Sequence, residues 1–363
     1  MEEKIAIVYG YLVKHGGIGR YIAETIKRSK EPGKFKILSI ENSVELPKSA
    51  AVEIINCERD LNFMCIAENT AFSNAVKKRL KYLSLSHSHG VYDFTPDLYT
   101  SHICLKKYFD SIKKIFGKNA LKKYFGSALP LVNTEERMFQ KAGKPLVFPV
   151  SIKVGEELKE SYGIETKGVI RGASRFFVNQ TKRKRRESET KIVGFIGNNI
   201  YSKGLVFLKD ALRRLSKKGF KLQCVSAGTG NEVDSYFGRD ESFQYIPLGK
   251  IEVSETFYHD LDCFVSLSTY EGYSLSTLEA MSLSVPVVSS KFNGVFYDAA
   301  KKDRILTEVN DITSIKEVST LLERIFSDAN FIERVTEQSK EITNSHTWRN
   351  VSEAYDSVYS SIK

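Results

Sequence analysis

Residues 262–290 read DCFVSLSTYEGYSLSTLEAMSLSVPVVSS, in which two apolar runs, CFVSLS and VPVVSS, enclose a polar loop and a helix-forming stretch. A short apolar run, a loop, a helix and a second apolar run are the parts of a crossover between parallel strands. Within it Glu271 and Glu279 stand with seven residues between them, astride the opening turn of the helix, where packing asks for neither.

The same alternation extends upstream. KIVGFIG (191–197), KLQCVSAG (221–228) and FQYIPLG (243–249) read as strands, with helices in GLVFLKDALRRLSKKG (204–219) and SETFYHDL (254–261). The first half repeats the pattern. KIAIVYG (4–10) is a strand feeding the glycine loop and helix of HGGIGRYIAETIKRS (15–29), and KFKILSI, AVEIINC, KYLSLSH and SALPLVNT are further strand candidates around a helix near 102–123. Between the halves, NQTKRKRRESETK (179–191) is almost devoid of apolar residues and reads as a linker. Two α/β halves joined by a polar segment predict a cleft, with chemistry in the loops that follow the strands.

The 363 residues allow two domains of ordinary size, and 42% apolar with 27% charged residues is the balance of a globular protein. No apolar stretch approaches the ~20 residues of a spanning helix, and MEEKIAIVYG lacks the basic and apolar regions of a signal peptide. The expectation is a cytosolic protein. Cys57, Cys65, Cys104, Cys224 and Cys263 are far apart, without the spacing of a zinc or redox motif, and read as reduced, mostly packed thiols. A net charge of +10 favours an anionic partner.

The second half resembles the donor domain of the retaining GT-B glycosyltransferases of family four, marked by an E-x7-E motif. GGIGRYIAE (16–24), SHSHGVYDF (86–94) and TWRNVSEAYDSVY (347–359) match that family in the same order. The resemblance implies an α/β GT-B fold, two Rossmann-like domains facing across a cleft. It places an acceptor-side domain at 1–178, a basic linker at 179–190, a donor domain at 191–345, and a last helix, 346–363, crossing back to the first domain. It implies sugar transfer from a nucleotide-sugar to a hydroxyl of a glycan or lipid-linked glycan, with retention, in surface polysaccharide or glycoconjugate synthesis. No metal or other cofactor is implied. A non-catalytic relative acting as a scaffold is the alternative. A nucleic-acid partner ranks last, since no recognition motif accompanies the charge.

By resemblance Glu271 contacts hydroxyls of the donor sugar and Glu279 the ribose, while Gly272, Tyr273, Ser274 and Leu275 bring backbone and helix N-terminus to the diphosphate. The same physics holds without the family: an opening helical turn offers unpaired N–H groups and a positive dipole end to an anion. The plainer alternative is that STLE (276–279) is a capping box, with Glu279 reaching back to the helix start. Lys203 matches a phosphate-neutralising lysine. Two departures stand out: Asn198 replaces an arginine, and Ser284 replaces a glycine before VPVV. In the first half Gly16 and Gly17 match the family's glycine loop, with Arg20 a further phosphate contact or a helix-surface residue. One histidine should line the cleft, His89 being the better match and His87 the rival. Asp260 and Asp262 form a D-x-D ahead of a strand, read as a surface turn. The run Lys182–Arg186 is a solvated charge run first and a contact with an anionic membrane face second. Trp348, Val351, Tyr355 and Val358 share one helical stripe, read as a core-facing seam.

Overall fold

The computed structural model describes residues 4–57, 66–141, 143–176, 188–344 and 346–362. The basic run Lys182–Arg186, most of the expected linker and Cys65 lie outside these residues. The chain divides into two compact units, Met1–Gly172 with Trp348–Lys363, and Ala173–Thr347. Each is a Rossmann-like α/β unit, as the fold class expected from the sequence requires.

The first unit runs β1 (Ile5–Val8), β2 (Tyr11–Leu12), α1 (Gly17–Lys27), β3 (Phe35–Ser39), β4 (Glu41–Asn42), β5 (Ala51–Ile54) and α2 (Ile66–Leu80). It continues with β6 (Leu85–Ser88), β7 (Leu98–Ser101), α3 (Leu105–Phe125), α4 (Leu131–Gln140), β8 (Leu146–Pro149) and α5 (Ile152–Tyr162). Six strands pair in parallel in the order β5-β3-β1-β6-β7-β8, with β2 and β4 forming a small separate pair. Every residue of β1 and β7 is buried, because helices cover both faces of a parallel sheet and leave no side for polar alternation.

The strand expected at SALPLVNT is not there. Residues 127–130 are a turn, and Leu131–Gln140 is helical. Pro130, at φ −62° and ψ −17°, already has helical geometry and lacks only an N–H that the first turn would not use. Beyond β6 the sheet is instead completed by β7 and β8, four residues each and too short to stand out by pattern.

The second unit runs β9 (Thr190–Ile196), α6 (Leu205–Ser216), β10 (Lys221–Ala227), α7 (Asn231–Gly238), β11 (Gln244–Pro247), α8 (Glu255–His259) and β12 (Cys263–Ser266). It continues with α9 (Leu275–Ser282), β13 (Val287–Ser290), α10 (Gly294–Ala300), β14 (Glu308–Val309), α11 (Ile315–Ser327) and α12 (Ala329–Thr343). Its parallel order, β11-β10-β9-β12-β13-β14, is that of the first sheet. In both, the chain moves outward from the first strand in one direction and then returns to build in the other. The switch falls between β1 and β6 in one unit and between β9 and β12 in the other.

The last helix, α13 (Trp348–Ser361), belongs to the first unit. Trp348, Val351 and Tyr355 are buried, but the fourth buried turn is at Tyr359; Val358 is only half-buried, because the 3.6-residue period drifts past it. The Tyr21 ring of α1 lies edge-on to both Trp348 and Tyr355, and Asp356 takes hydrogen bonds from Ser29 Oγ (2.7 Å), Lys30 N (2.9 Å) and Lys34 Nζ (2.8 Å).

Helix α9 closes on Ser284, a departure whose cost the backbone explains. Val285 N donates to Ala280 O (2.9 Å) and Ser284 N to Met281 O (3.0 Å), which is the Schellman closure, and Ser284 sits at φ +58°. That conformation costs a non-glycine residue about 1–2 kcal/mol. The Ser284 hydroxyl is also buried without a hydrogen-bond partner. Ser284→Gly is therefore expected to stabilise the second unit by about 1 kcal/mol, read as a higher urea midpoint at unchanged slope.

Candidate functional site

In the second unit, three loops follow the adjacent strands β9, β12 and β13 and are tied to one another. Thr269 N donates to Ser202 O (2.9 Å), joining the first two. Glu271 N donates to Phe292 O (3.1 Å) and Gly294 N to Glu271 O (3.0 Å), joining the second to the third. Glu271 is thus held by its own backbone at the switch point of the sheet. Its Oε2 accepts from Lys203 Nζ at 2.7 Å and from Ser268 Oγ at 3.3 Å, and both members of the ion pair keep part of their surface open to solvent.

Two glycines permit this approach. A Cβ on Gly197 would stand 2.8 Å from Lys203 Cγ, and one on Gly204 2.0 Å from Leu267 O. Both residues have positive φ, so the crossing of the loops depends on them. Asn198 is exposed between them, while Asn199 Oδ1 accepts from Tyr201 N and Ser202 N to fold the loop into a turn.

The helix start is also settled. Ser274 is the cap of α9, its Oγ accepting from Thr277 N at 3.3 Å, and Gly272 and Leu275 are buried beside it. The capping box anticipated at 276–279 does not form. Glu279 lies a turn further in, 1% exposed, and its carboxylate accepts from Arg175 Nε (2.9 Å) and Tyr258 Oη (2.8 Å). Tyr273 Oη pairs with His346 Nε2 at 2.7 Å.

Arg175 escaped the sequence analysis. Besides Glu279, its guanidinium reaches Glu252 Oε1 (3.1 Å) and Val253 O (2.6 Å), so one planar fork joins the α9 carboxylate to the loop after β11. Nothing in GASRFFV marks this arginine, because its partners lie 77–104 residues away. Lysine would keep the charge and lose the fork. Arg175→Lys is expected to cost about 1–2 kcal/mol of second-unit stability, measured by urea unfolding.

In the first unit, His87 and His89 point to the same face of β6 and have different fates. His87 is closed off, Nδ1 to Tyr359 Oη (2.6 Å) and Nε2 to Thr100 Oγ1 (2.7 Å). Desolvation, helped by His102, pushes its pKa down to about 3, so it is a neutral structural group. The His89 ring lies against it, tilted by 35° with ring centres 4.3 Å apart, and shares a hydrogen bond with His102 across 3.1 Å. Burial lowers the pKa of His102 to about 3 and, with the two neighbouring histidines, that of His89 well below its usual value. His102, from the loop after β7, was not foreseen; its place beside His89 comes from strand order.

The glycine loop also resolves residue by residue. Gly16 caps α1, and Gly17 is exposed with open space where a side chain would stand. The glycine that packing demands is Gly19, whose Cβ would lie 3.0 Å from Val13 N and O. Arg20 is half-buried on the same helix. Asp262, in the D-x-D, fastens a turn to β9 by accepting from Ile192 N (2.7 Å). Among the described residues no group of three His, Cys, Asp or Glu side chains is placed to hold a metal ion, and no helix is long and apolar enough to cross a membrane.

Residues 190–324 match the family described as Glycosyl transferases group 1. The capsular polysaccharide biosynthesis glycosyltransferase CapM of Staphylococcus aureus is 21% identical over 175 residues, a match spanning 46% of this chain and 45% of that protein. The chain therefore covers about half the length of this curated relative. Among solved structures, WaaG, a glycosyltransferase involved in lipopolysaccharide biosynthesis, superposes with a TM-score of 0.76 at 14% identity, over 98% of this chain and 99% of that one. Sucrose-phosphate synthase from Thermosynechococcus elongatus gives 0.75 at 13% identity, over 99% of each chain. HepE from Anabaena, in complex with UDP-glucose, gives 0.67 at 14%, again over 99% of each. At these identities the likeness is one of fold.

Proposed function

Because residues 190–324 belong to the glycosyl transferases group 1 family, within a chain of GT-B fold, we propose that the protein moves a sugar from a nucleotide-sugar to a hydroxyl of a glycan or lipid-linked glycan. The transfer retains the anomeric configuration and serves synthesis of a surface polysaccharide or glycoconjugate. The observation that carries this reading is the Lys203–Glu271 pair, held at the switch point of the second sheet beside the capped start of α9.

Each group has a task suited to its chemistry. The first-turn N–H groups of α9, with no side chain at Gly272 beside them, would seat the diphosphate. Lys203 would turn from Glu271 towards the phosphates and neutralise charge that grows as the bond from sugar to phosphate oxygen breaks. Glu271, released from the lysine, would accept hydrogen bonds from sugar hydroxyls. Glu279, oriented by Arg175 and Tyr258, would accept from the ribose diol. The reacting carbon passes through an oxocarbenium-like state, and the departing phosphate can take the acceptor's proton. Lys203 and the helix start supply the charge balance, so we infer that turnover needs no metal and survives EDTA. His89, Gly16 and Gly17 complete the donor side by resemblance. No observation favours the scaffold alternative.

The HepE complex makes UDP-sugars the first donors to test. Calorimetric titration of UDP, GDP and ADP should show one diphosphate binding, and Glu279→Gln should weaken it by about tenfold, the loss of one charge-assisted contact. Failure of all three diphosphates to bind would overturn the reading.

A further inference from the structure

Helix α3 of the first unit holds seven lysines against one acidic residue, Asp110, so a single helix carries more than half of the chain's net charge of +10. Lys107 is paired with Glu160 at 2.6 Å. The other six, Lys106, Lys113, Lys114, Lys118, Lys122 and Lys123, are exposed, and none of them makes an ion pair among the described residues. The helix itself gains nothing from this pattern. Lys106 and Lys107 stand in its first turn, at the positive end of the helix dipole, and Lys118 and Lys122 are four residues apart, where like charges repel.

The inward side of α3 is ordinary core, with Leu105, Phe109, Ile112 and Leu121 buried in one cluster with Leu131 of α4. At Gly117, with φ +83° and ψ 170°, the helix breaks and resumes. Ile115, Phe116 and Tyr124 are half-buried on either side of the break, so apolar surface lies among the lysines, and Lys123 Nζ stands 5.1 Å from the centre of the Tyr124 ring. Basic heads interleaved with apolar groups suit a layer of anionic lipid headgroups. All seven cations are lysine, which responds as a point charge to the summed field of many anions and lacks the planar fork that grips one phosphate. Nucleic acid would need open aromatic faces for its bases, whereas Phe116 and Phe125 pack on the core cluster.

We propose that the outward face of α3 docks the first unit on an anionic lipid bilayer, with the lysines among the headgroups and Ile115 and Tyr124 at the interface. The contact is peripheral, since among the described residues no helix is long and apolar enough to cross a membrane. This docking does not depend on the chemistry of the second unit.

Co-sedimentation of the whole protein with vesicles of phosphatidylcholine and phosphatidylglycerol tests it. Binding should be lost with phosphatidylcholine alone, and should fall at least about tenfold between about 0.1 and 1 M salt, as the screening length drops from about 10 to 3 Å. Each lysine at an anionic surface is worth about fivefold in binding, so the triple variant Lys114→Gln, Lys118→Gln, Lys122→Gln should bind about 10²-fold more weakly. Its urea midpoint should not fall, because these side chains give up no ion pair. Lys217→Gln, Lys302→Gln, Lys316→Gln, at three exposed lysines of the second unit, makes the same change in net charge and should weaken binding by less than about threefold. Equal binding to neutral vesicles, no binding to anionic ones, or an α3 variant that binds no more weakly than the second-unit variant overturns the proposal. If wild type binds an oligonucleotide but not the vesicles, and the α3 variant loses it, the lipid partner is overturned in favour of nucleic acid.

Discussion

Lys203→Ala is expected to lower kcat/KM for the nucleotide-sugar by about 10²- to 10³-fold, the range for removing one preorganised group that meets developing charge. The fold should be little affected, because Lys203 and Glu271 are both partly open to water and the loops are joined through backbone atoms. The informative comparison is Lys203→Arg. Arginine keeps the charge on a bulkier head, and the stem must still cross Gly197, where clearance is already small. Partial rescue by arginine would assign the role to charge, whereas an unimpaired alanine variant would remove Lys203 from the chemistry. Asn198 sharpens the expectation: with a neutral, exposed side chain there, Lys203 has no cationic neighbour on its loop to share the load.

Stability of the first unit is expected to peak near pH 6.5 and fall on both sides. Burial holds Glu135 up to about 8, where its Oε2 accepts from Leu105 N (3.0 Å) and Tyr162 Oη (2.7 Å) and its Oε1 has no partner. Between its unfolded pKa and pH 8 the folded state binds the extra proton, so stability drops as pH rises through that window, by at most about 1.4 kcal/mol per unit. His87, His89 and His102 act in the opposite sense. Their folded pKa values are depressed by burial, so below about 6.5 the unfolded chain takes up protons that the fold refuses, each costing at most about 1.4 kcal/mol per unit. Three such groups outweigh one carboxyl, and the acid side falls more steeply. Urea unfolding from pH 5 to 8.5 checks this. Glu135→Gln should flatten the alkaline side, and His102→Gln should soften the acid side. A profile flat from pH 5 to 8 would contradict the neutral histidine cluster.

What was legible in the sequence is what local pattern controls. Strand, loop and helix around Glu271 are adjacent in the chain, so CFVSLS, the E-x7-E spacing and VPVV gave the crossover directly. Gly197 was visible as the end of a strand, and Ser284 as a departure from the glycine that the resemblance places before VPVV; that the position is a left-handed helix cap came only with the backbone. What stayed hidden depends on distant neighbours. Arg175 acquires meaning only when the chain brings it to Glu279, and His102 only because β7 pairs beside β6. The choice of Ser274 over Ser276 as the cap turns on where the loop from β12 is tied down, which no spacing rule states. In the first half, Pro130 disguised a helix start as a strand. The apparent seam residue Val358 gave way to Tyr359, whose hydroxyl engages His87.

The central claim is tested most directly by release of nucleoside diphosphate from a panel of UDP-, GDP- and ADP-sugars, comparing wild type with Glu271→Gln. The account predicts slow hydrolysis of one donor without acceptor, reduced by at least about a hundredfold in the variant, whose fold and affinity for the free diphosphate should be nearly unchanged. Equal hydrolysis by wild type and Glu271→Gln, or no binding and no turnover of any donor on the panel, would contradict it.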